Sequence, residues 1–148
     1  MLWGSMSTSG VGNLQFIDTN MNKFGYLSIL KNNVKKSAMK LGLGPSSYFQ
    51  QANDPKKTAH IVQMCLLYNT PNRLKTPPQS KDLNPIENLW WELEKQVHKH
   101  KVSNKSELKQ VLQEEWQRIL PSVTRKYTQS MPKRLAAVIK AKGGASGY

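Results

Sequence analysis

Six apolar residues, Phe24, Leu27, Leu30, Val34, Ala38 and Leu41, recur at intervals of three and four. That spacing puts them on one face of a helix over 20–41, about six turns long. A helix with one apolar face must be covered, and the preceding residues offer a cover. Leu2-Trp3-Gly4-Ser5-Met6-Ser7 and Leu14-Gln15-Phe16-Ile17 read as two strands around the turn Ser9-Gly10-Val11-Gly12, a hairpin over 1–18. Gly42 and Gly44 with Pro45 stop the helix. Tyr48-Phe49-Gln50-Gln51 reads as a short strand, broken by Asn53-Asp54-Pro55, and a helix over 58–68 completes a helix–strand–helix unit over 20–68. The order is that of an α/β domain.

Residues 69–83 form a proline-rich stretch. Pro71, Pro77 and Pro78 crowd it, and Leu74 is its one apolar residue before Lys81. Proline removes a ladder donor, so the stretch supports only a loop or a ragged edge strand. A helical half over 84–142 follows. Asn84 suits the N-cap, Pro85 the first helical position, and Glu87 falls third, with Ile86, Trp90, Leu93 and Val97 as the apolar stripe. Further helices are expected over 105–120, with Leu108, Val111, Leu112, Trp116 and Ile119 inward, then over 121–130 and 133–142, stopped by Gly143-Gly144. All 148 residues read as one domain.

Charge narrows the partners. Twenty-two Lys and Arg stand against nine Asp and Glu, a net charge of +13, which favours a polyanion. Twelve of the cations and only three glutamates lie between Lys95 and Lys142. Lys99, Lys101, Lys105, Lys109, Arg125, Lys126, Lys133, Arg134, Lys140 and Lys142 are the candidate contacts to DNA phosphates, with little sequence preference expected. Cys65 is the only cysteine, which excludes an intrachain disulfide and a thiolate zinc cluster. His98 and His100 lie two apart and share no helix face. Trp90 and Trp116, at helical spacing beside leucines, read as core. No signal peptide is evident at the start, and no apolar run reaches the ~18 residues of a membrane span. A soluble intracellular protein with no membrane partner is expected.

Two segments carry more specific information. Phe49-Gln50-Gln51-Ala52-Asn53-Asp54-Pro55-Lys56-Lys57-Thr58-Ala59 is followed by Asp82-Leu83-Asn84-Pro85-Ile86-Glu87-Asn88-Leu89-Trp90, with thirty-four residues between Ala52 and Glu87. This pair of segments resembles the catalytic core of the Tc/mariner superfamily of DDE transposases, and the likeness runs from Trp3-Gly4 to the Lys140-Ala141-Lys142-Gly143-Gly144 tail. It implies a ribonuclease-H-like fold, a mixed sheet flanked by helices, with Mg²⁺ held by three acids. In that family Glu87 holds the position of the third acid and Ala52 that of the second metal-binding aspartate. The first aspartate belongs to a central strand upstream of the hairpin. The resemblance therefore implies an incomplete, truncated ribonuclease-H-like domain lacking its first central strand, with Glu87 the surviving acid and no metal expected to bind well.

Alternatives stand beside these roles. Asn84-x-x-Glu87 also has capping-box spacing. Asp54 lies two residues from Ala52, ~6–7 Å along an ideal strand, too far to replace a ligand at ~2.1 Å, and Asp-Pro is a turn signal. Lys57 stands where the family commonly has histidine. The expected protein is an inactive transposase remnant with residual non-specific DNA binding, in the nucleus by resemblance or else in the cytoplasm. The alternative is a domesticated interaction protein or a dominant-negative partner of an intact transposase, which would associate with that transposase or with itself.

Overall fold

The hairpin forms where the alternation and its turn place it. In a computed structural model that describes residues 1–70, 72–77, 80–144 and 146–147, strands β1 (Leu2–Ser7) and β2 (Gly10–Phe16) pair antiparallel, Trp3 opposite Gln15 and Gly4 opposite Leu14. The turn requires Gly10, whose φ of 138° an L side chain rarely adopts. The register slips between Gly4 and Met6, a local bulge.

Helix α1 (Lys23–Lys40) is capped by the Asn22 side chain, which accepts from the Gly25 amide. Its buried face differs from the apolar spacing. Tyr26, Leu27, Leu30, Asn33, Val34 and Ser37 point inward, while Phe24 is 58% exposed beneath the Lys23 ammonium. Polar residues turn inward because β2 supplies partners. Asn33 Nδ2 donates to the Ile29 carbonyl at 2.9 Å and to Gln15 Oε1, and the Asn13 amide donates to Ser37 Oγ at 3.0 Å. Gly12 allows this approach: a Cβ there would stand 2.2 Å from Ser5 Oγ and 2.8 Å from the Ser37 side chain.

The helix expected over 58–68 is α3 (His60–Asn69), and a short extra helix, α2 (Pro55–Thr58), precedes it, separated where Ala59 takes ψ 143°. Tyr48–Gln51 makes one parallel bridge rather than a full strand: the Phe49 amide donates to the Asn72 carbonyl and the Leu74 amide to the Phe49 carbonyl, both at 2.9 Å. The ragged edge expected near Leu74 is therefore present, while Pro71 and Pro78 lie outside the described residues. Among the described residues the mixed sheet is reduced to the hairpin and this bridge.

A 3₁₀ turn at Lys81–Leu83 leads into α4 (Ile86–Val97). Then come α5 (Lys105–Arg118), capped by Asn104, α6 (Pro121–Gln129) and α7 (Met131–Lys140). Leu108, expected inward, is 38% exposed, and α5 turns Val111, Leu112 and Trp116 to the core instead.

Two cores lie on opposite faces of the hairpin. Tyr26, Leu27, Leu30 and Val34 of α1 pack with Val62 and Leu66 of α3, with Trp3 at the margin. Val11 packs with Leu89, Leu93, Val97 and Trp116, flanked by Met6 and Leu14. Alternation along β1 explains the split: Trp3 faces one core, and Gly4 and Met6 the other. Trp90 and Trp116 stack with centroids 5.1 Å apart, and the Trp116 indole N–H donates to the Gly12 carbonyl at 3.0 Å. Both are core, as their spacing predicts. No helix among the described residues is long and apolar enough to cross a membrane.

Candidate functional site

Ala52 lies just beyond the Phe49 bridge, and Asp54 two residues later caps α2. Its carboxylate accepts from the Lys56 amide at 3.0 Å and the Lys57 amide at 3.3 Å, and Lys57 Nζ stands 3.4 Å away. These bonds commit Asp54 to the turn, which is the role that the Asp-Pro pair predicts.

Glu87 sits in the first turn of α4, where the helix dipole favours negative charge. The helix starts one residue later than the sequence pattern, with Pro85 as the cap and Asn84 Oδ1 accepting from the Ile86 amide at 3.4 Å. The reciprocal half of a capping box is not made, because the Asn84 amide bonds instead to the Lys81 carbonyl at 2.9 Å. Glu87 is exposed, and among the described residues its carboxylate has no hydrogen-bond or ion-pair partner.

One open groove of about 740 Å³ joins the two positions. Its walls are β1, the stretch from Leu43 to Ala52, and the residues from Asn84 to Glu87 that lead into α4, with Tyr26 and Val34 of α1 and Leu41 just after it as floor. Two side-chain bonds set the segment before Ala52: Gln50 Nε2 donates to the Leu83 carbonyl at 2.7 Å, and the Tyr26 hydroxyl donates to Gln51 Oε1 at 2.5 Å. Burial holds the Tyr26 phenol well above the ordinary tyrosine range, so it acts as a donor. Sequence spacing missed Tyr26 and Gln51; the only signal was a polar-tipped tyrosine one turn before Leu30.

The donor set is short for a divalent metal pair. Mg²⁺ wants near-octahedral oxygen ligands, chiefly carboxylates. Among the described residues Glu87 is the only carboxylate lining the groove, Ala52 offers no lone pair, and no group of three His, Cys, Asp or Glu residues converges. The residues of this chain alone do not fit a two-metal site. His100 is committed elsewhere, 2.9 Å from Glu115.

The candidate DNA contacts fall into three groups. Lys99, Lys101, Arg125, Lys126, Lys133, Lys140 and Lys142 are exposed. Lys105 and Lys109 each lie 2.9 Å from Asp18 and hold its carboxyl down at about 2, the Lys109 hydrogen bond contributing most. Arg134 is a correction. It is 2% exposed, and donates to the Asp82 carbonyl at 3.0 Å, to Ser130 Oγ at 2.7 Å and to Asn88 Oδ1 at 2.5 Å, so its guanidinium joins α7 to α4 instead of facing a phosphate.

A hairpin between helical layers, with an extended segment and a helix start meeting at one groove, is an α/β arrangement that matches solved transposase catalytic domains in fold. The Mos1 transposase catalytic domain, solved with raltegravir and manganese, superposes with a TM-score of 0.84 at 18% identity, over 97% of this chain and 76% of that one. The Tcb1 transposase of Caenorhabditis briggsae is 38% identical over 148 residues, and the Tc1 transposase of Caenorhabditis elegans 37%. Over its whole length this chain is similar in sequence to transposases of the Tc1/mariner group, at 37–38% identity. It spans about half the length of these curated relatives, 54% of each. No family model matches it.

Proposed function

We propose that this chain is a remnant of a cut-and-paste DNA transposase that does not cleave DNA and keeps a non-specific affinity for it. The observation that carries the reading is Ala52, a methyl group in the groove where Glu87 is the only carboxylate among the described residues. Phosphodiester transfer with two metals needs acids on both sides of the ion pair. With Ala52 at the second acid's position, one side of that pair lacks its carboxylate, and the ~8–23 kcal/mol of barrier lowering typical of enzymes is not expected. The exposed cations, Lys99, Lys101, Arg125, Lys126, Lys133, Lys140 and Lys142 among them, supply the affinity for DNA, and a nuclear location goes with that partner.

The test is a Mg²⁺- or Mn²⁺-dependent cleavage assay on transposon-end DNA. No cleavage is expected. Metal-dependent cleavage that Glu87→Gln abolishes would overturn the reading.

A second reading, a partner of an intact transposase, draws on β1. Its outer edge carries no strand partner among the described residues, and open edges recruit other chains. Co-purification with a full-length relative supports it, and a monodisperse chain that never associates rejects it.

A further inference from the structure

The net charge is not spread evenly over the helices. α5 carries three cations and three glutamates, and α4 one lysine against three glutamates. α1 carries Lys23, Lys31, Lys35, Lys36 and Lys40 and no acidic residue in 18 positions. Among the described residues none of these five is in an ion pair, whereas Lys105, Lys109 and Arg118 of α5 each face a carboxylate within 3 Å.

The lysines of α1 are also ordered in space. Lys31 and Lys35 stand one turn apart on one flank, and Lys36 and Lys40 one turn apart on the other, with Asn32 and Met39 between them. The helix beneath is fixed, since Tyr26, Leu27, Leu30 and Val34 are locked in the α1–α3 core and Ser37 against β2. Lys35 lines the groove that holds Ala52 and Glu87. Two cationic rows on a rigid helix leading to that groove complement a rod that bears one negative charge per ~1.7 Å of its axis.

We propose that the exposed face of α1 is the principal contact of this chain with duplex DNA, the phosphates lying along Lys31, Lys35, Lys36 and Lys40. The assignment rests on the DNA-binding reading above and locates its main surface. Sequence inspection counts all twelve cations of the C-terminal half, although Lys95, Lys105, Lys109 and Arg118 face carboxylates and Arg134 is buried.

The experiment is fluorescence anisotropy of the full chain with a labelled duplex of unrelated sequence across a salt series. A Lys31→Gln/Lys35→Gln/Lys36→Gln variant is compared with Lys133→Gln/Lys140→Gln/Lys142→Gln. Each phosphate contact contributes about −0.9 to the slope of log K against log salt, so the α1 variant should flatten it by about two to three and the C-terminal variant by less than about one. Lys35→Glu alone should weaken binding more than Lys133→Glu. All six substituted positions, in α1 and in α7 and the turn after it, are solvent-facing, and far-UV circular dichroism checks that the helices persist. Equal flattening by both triples, or flattening by the C-terminal triple alone, overturns the assignment to α1 and leaves the DNA reading standing. Wild-type protein with no salt-dependent binding overturns both. Loss of binding to anionic phosphatidylserine vesicles, with DNA binding intact in the α1 variant, also overturns it.

Discussion

Gln50 donates to the Leu83 carbonyl at 2.7 Å, and this one bond joins the segment that carries Ala52 to the turn that launches the helix of Glu87. Leu83 is 5% exposed, so its carbonyl has little access to water. Gln50→Glu removes the donor at constant size and should cost about 1–3 kcal/mol, the range for a buried acceptor left unsatisfied. The urea midpoint of the full chain measures it; an unchanged midpoint would show that the tie contributes nothing.

Ala52→Asp should create the carboxylate pair that the groove lacks. Mn²⁺ affinity, followed by the loss of the free-ion electron paramagnetic resonance signal, should rise at least about tenfold, or ~1.4 kcal/mol. Adding Glu87→Gln should cancel the gain. A gain indifferent to Glu87 would mean that the two positions do not face one ion.

Arg134 predicts a sharp contrast with its neighbour. Arg134→Ala leaves the Asp82 carbonyl and Asn88 without their donor and should cost about 3 kcal/mol, and Arg134→Lys should recover little, since an ammonium cannot reproduce the fork. Lys133→Ala, at an exposed position, should stay within about 0.5 kcal/mol. Thermal melts of the three variants decide the matter.

The Asp18 carboxyl should titrate near 2 by NMR, against an ordinary value of 3.8. A depressed pKa means that the folded state binds the proton less readily than the unfolded chain. The resulting stability is present above about 4 and disappears as pH falls through 2. Lys109→Ala and Lys105→Ala should each move the midpoint up toward the ordinary value. Because the group is exposed, added salt should do the same.

Gly4→Ala tests the packing of the second core. Its Cβ would fall 2.7 Å from the Trp90 ring and 2.8 Å from that of Trp116, two indoles already stacked on each other. Overpacking of this kind costs about 1–3 kcal/mol. Quenching or a shift of tryptophan fluorescence should accompany the loss, and a variant as stable as the parent would require the indoles to be mobile.

Much of this fold can be read from spacing. The hairpin is legible because its turn demands glycine at residue 10, and α4 because an Asn-Pro start precedes a clean stripe. The inward face of α1 is not, because Asn33 and Ser37 are buried only where β2 brings Gln15 and Asn13 to meet them. The pairing of Ala52 with Glu87 in one groove follows from the two motifs together, each of which alone reads as a turn or a cap. The fate of the cations is least legible. Nothing local to Arg134 says that Asn88 waits for it, nor does anything near Lys105 and Lys109 point to Asp18.

The bond from the Trp116 indole to the Gly12 carbonyl spans 104 residues of chain. Within this sequence the hairpin is translated well before the helix that shelters it. Until α5 emerges, Val11, Met6 and Leu14 have only part of their cover and β1 exposes an unpaired edge. Such long-range closure is slow, and the half-covered hairpin is an adhesive surface throughout the wait. The growing chain is thus most exposed to aggregation before residue 116 is made, and a helper that shields the hairpin during synthesis would raise the yield of folded protein more than one acting on the finished molecule.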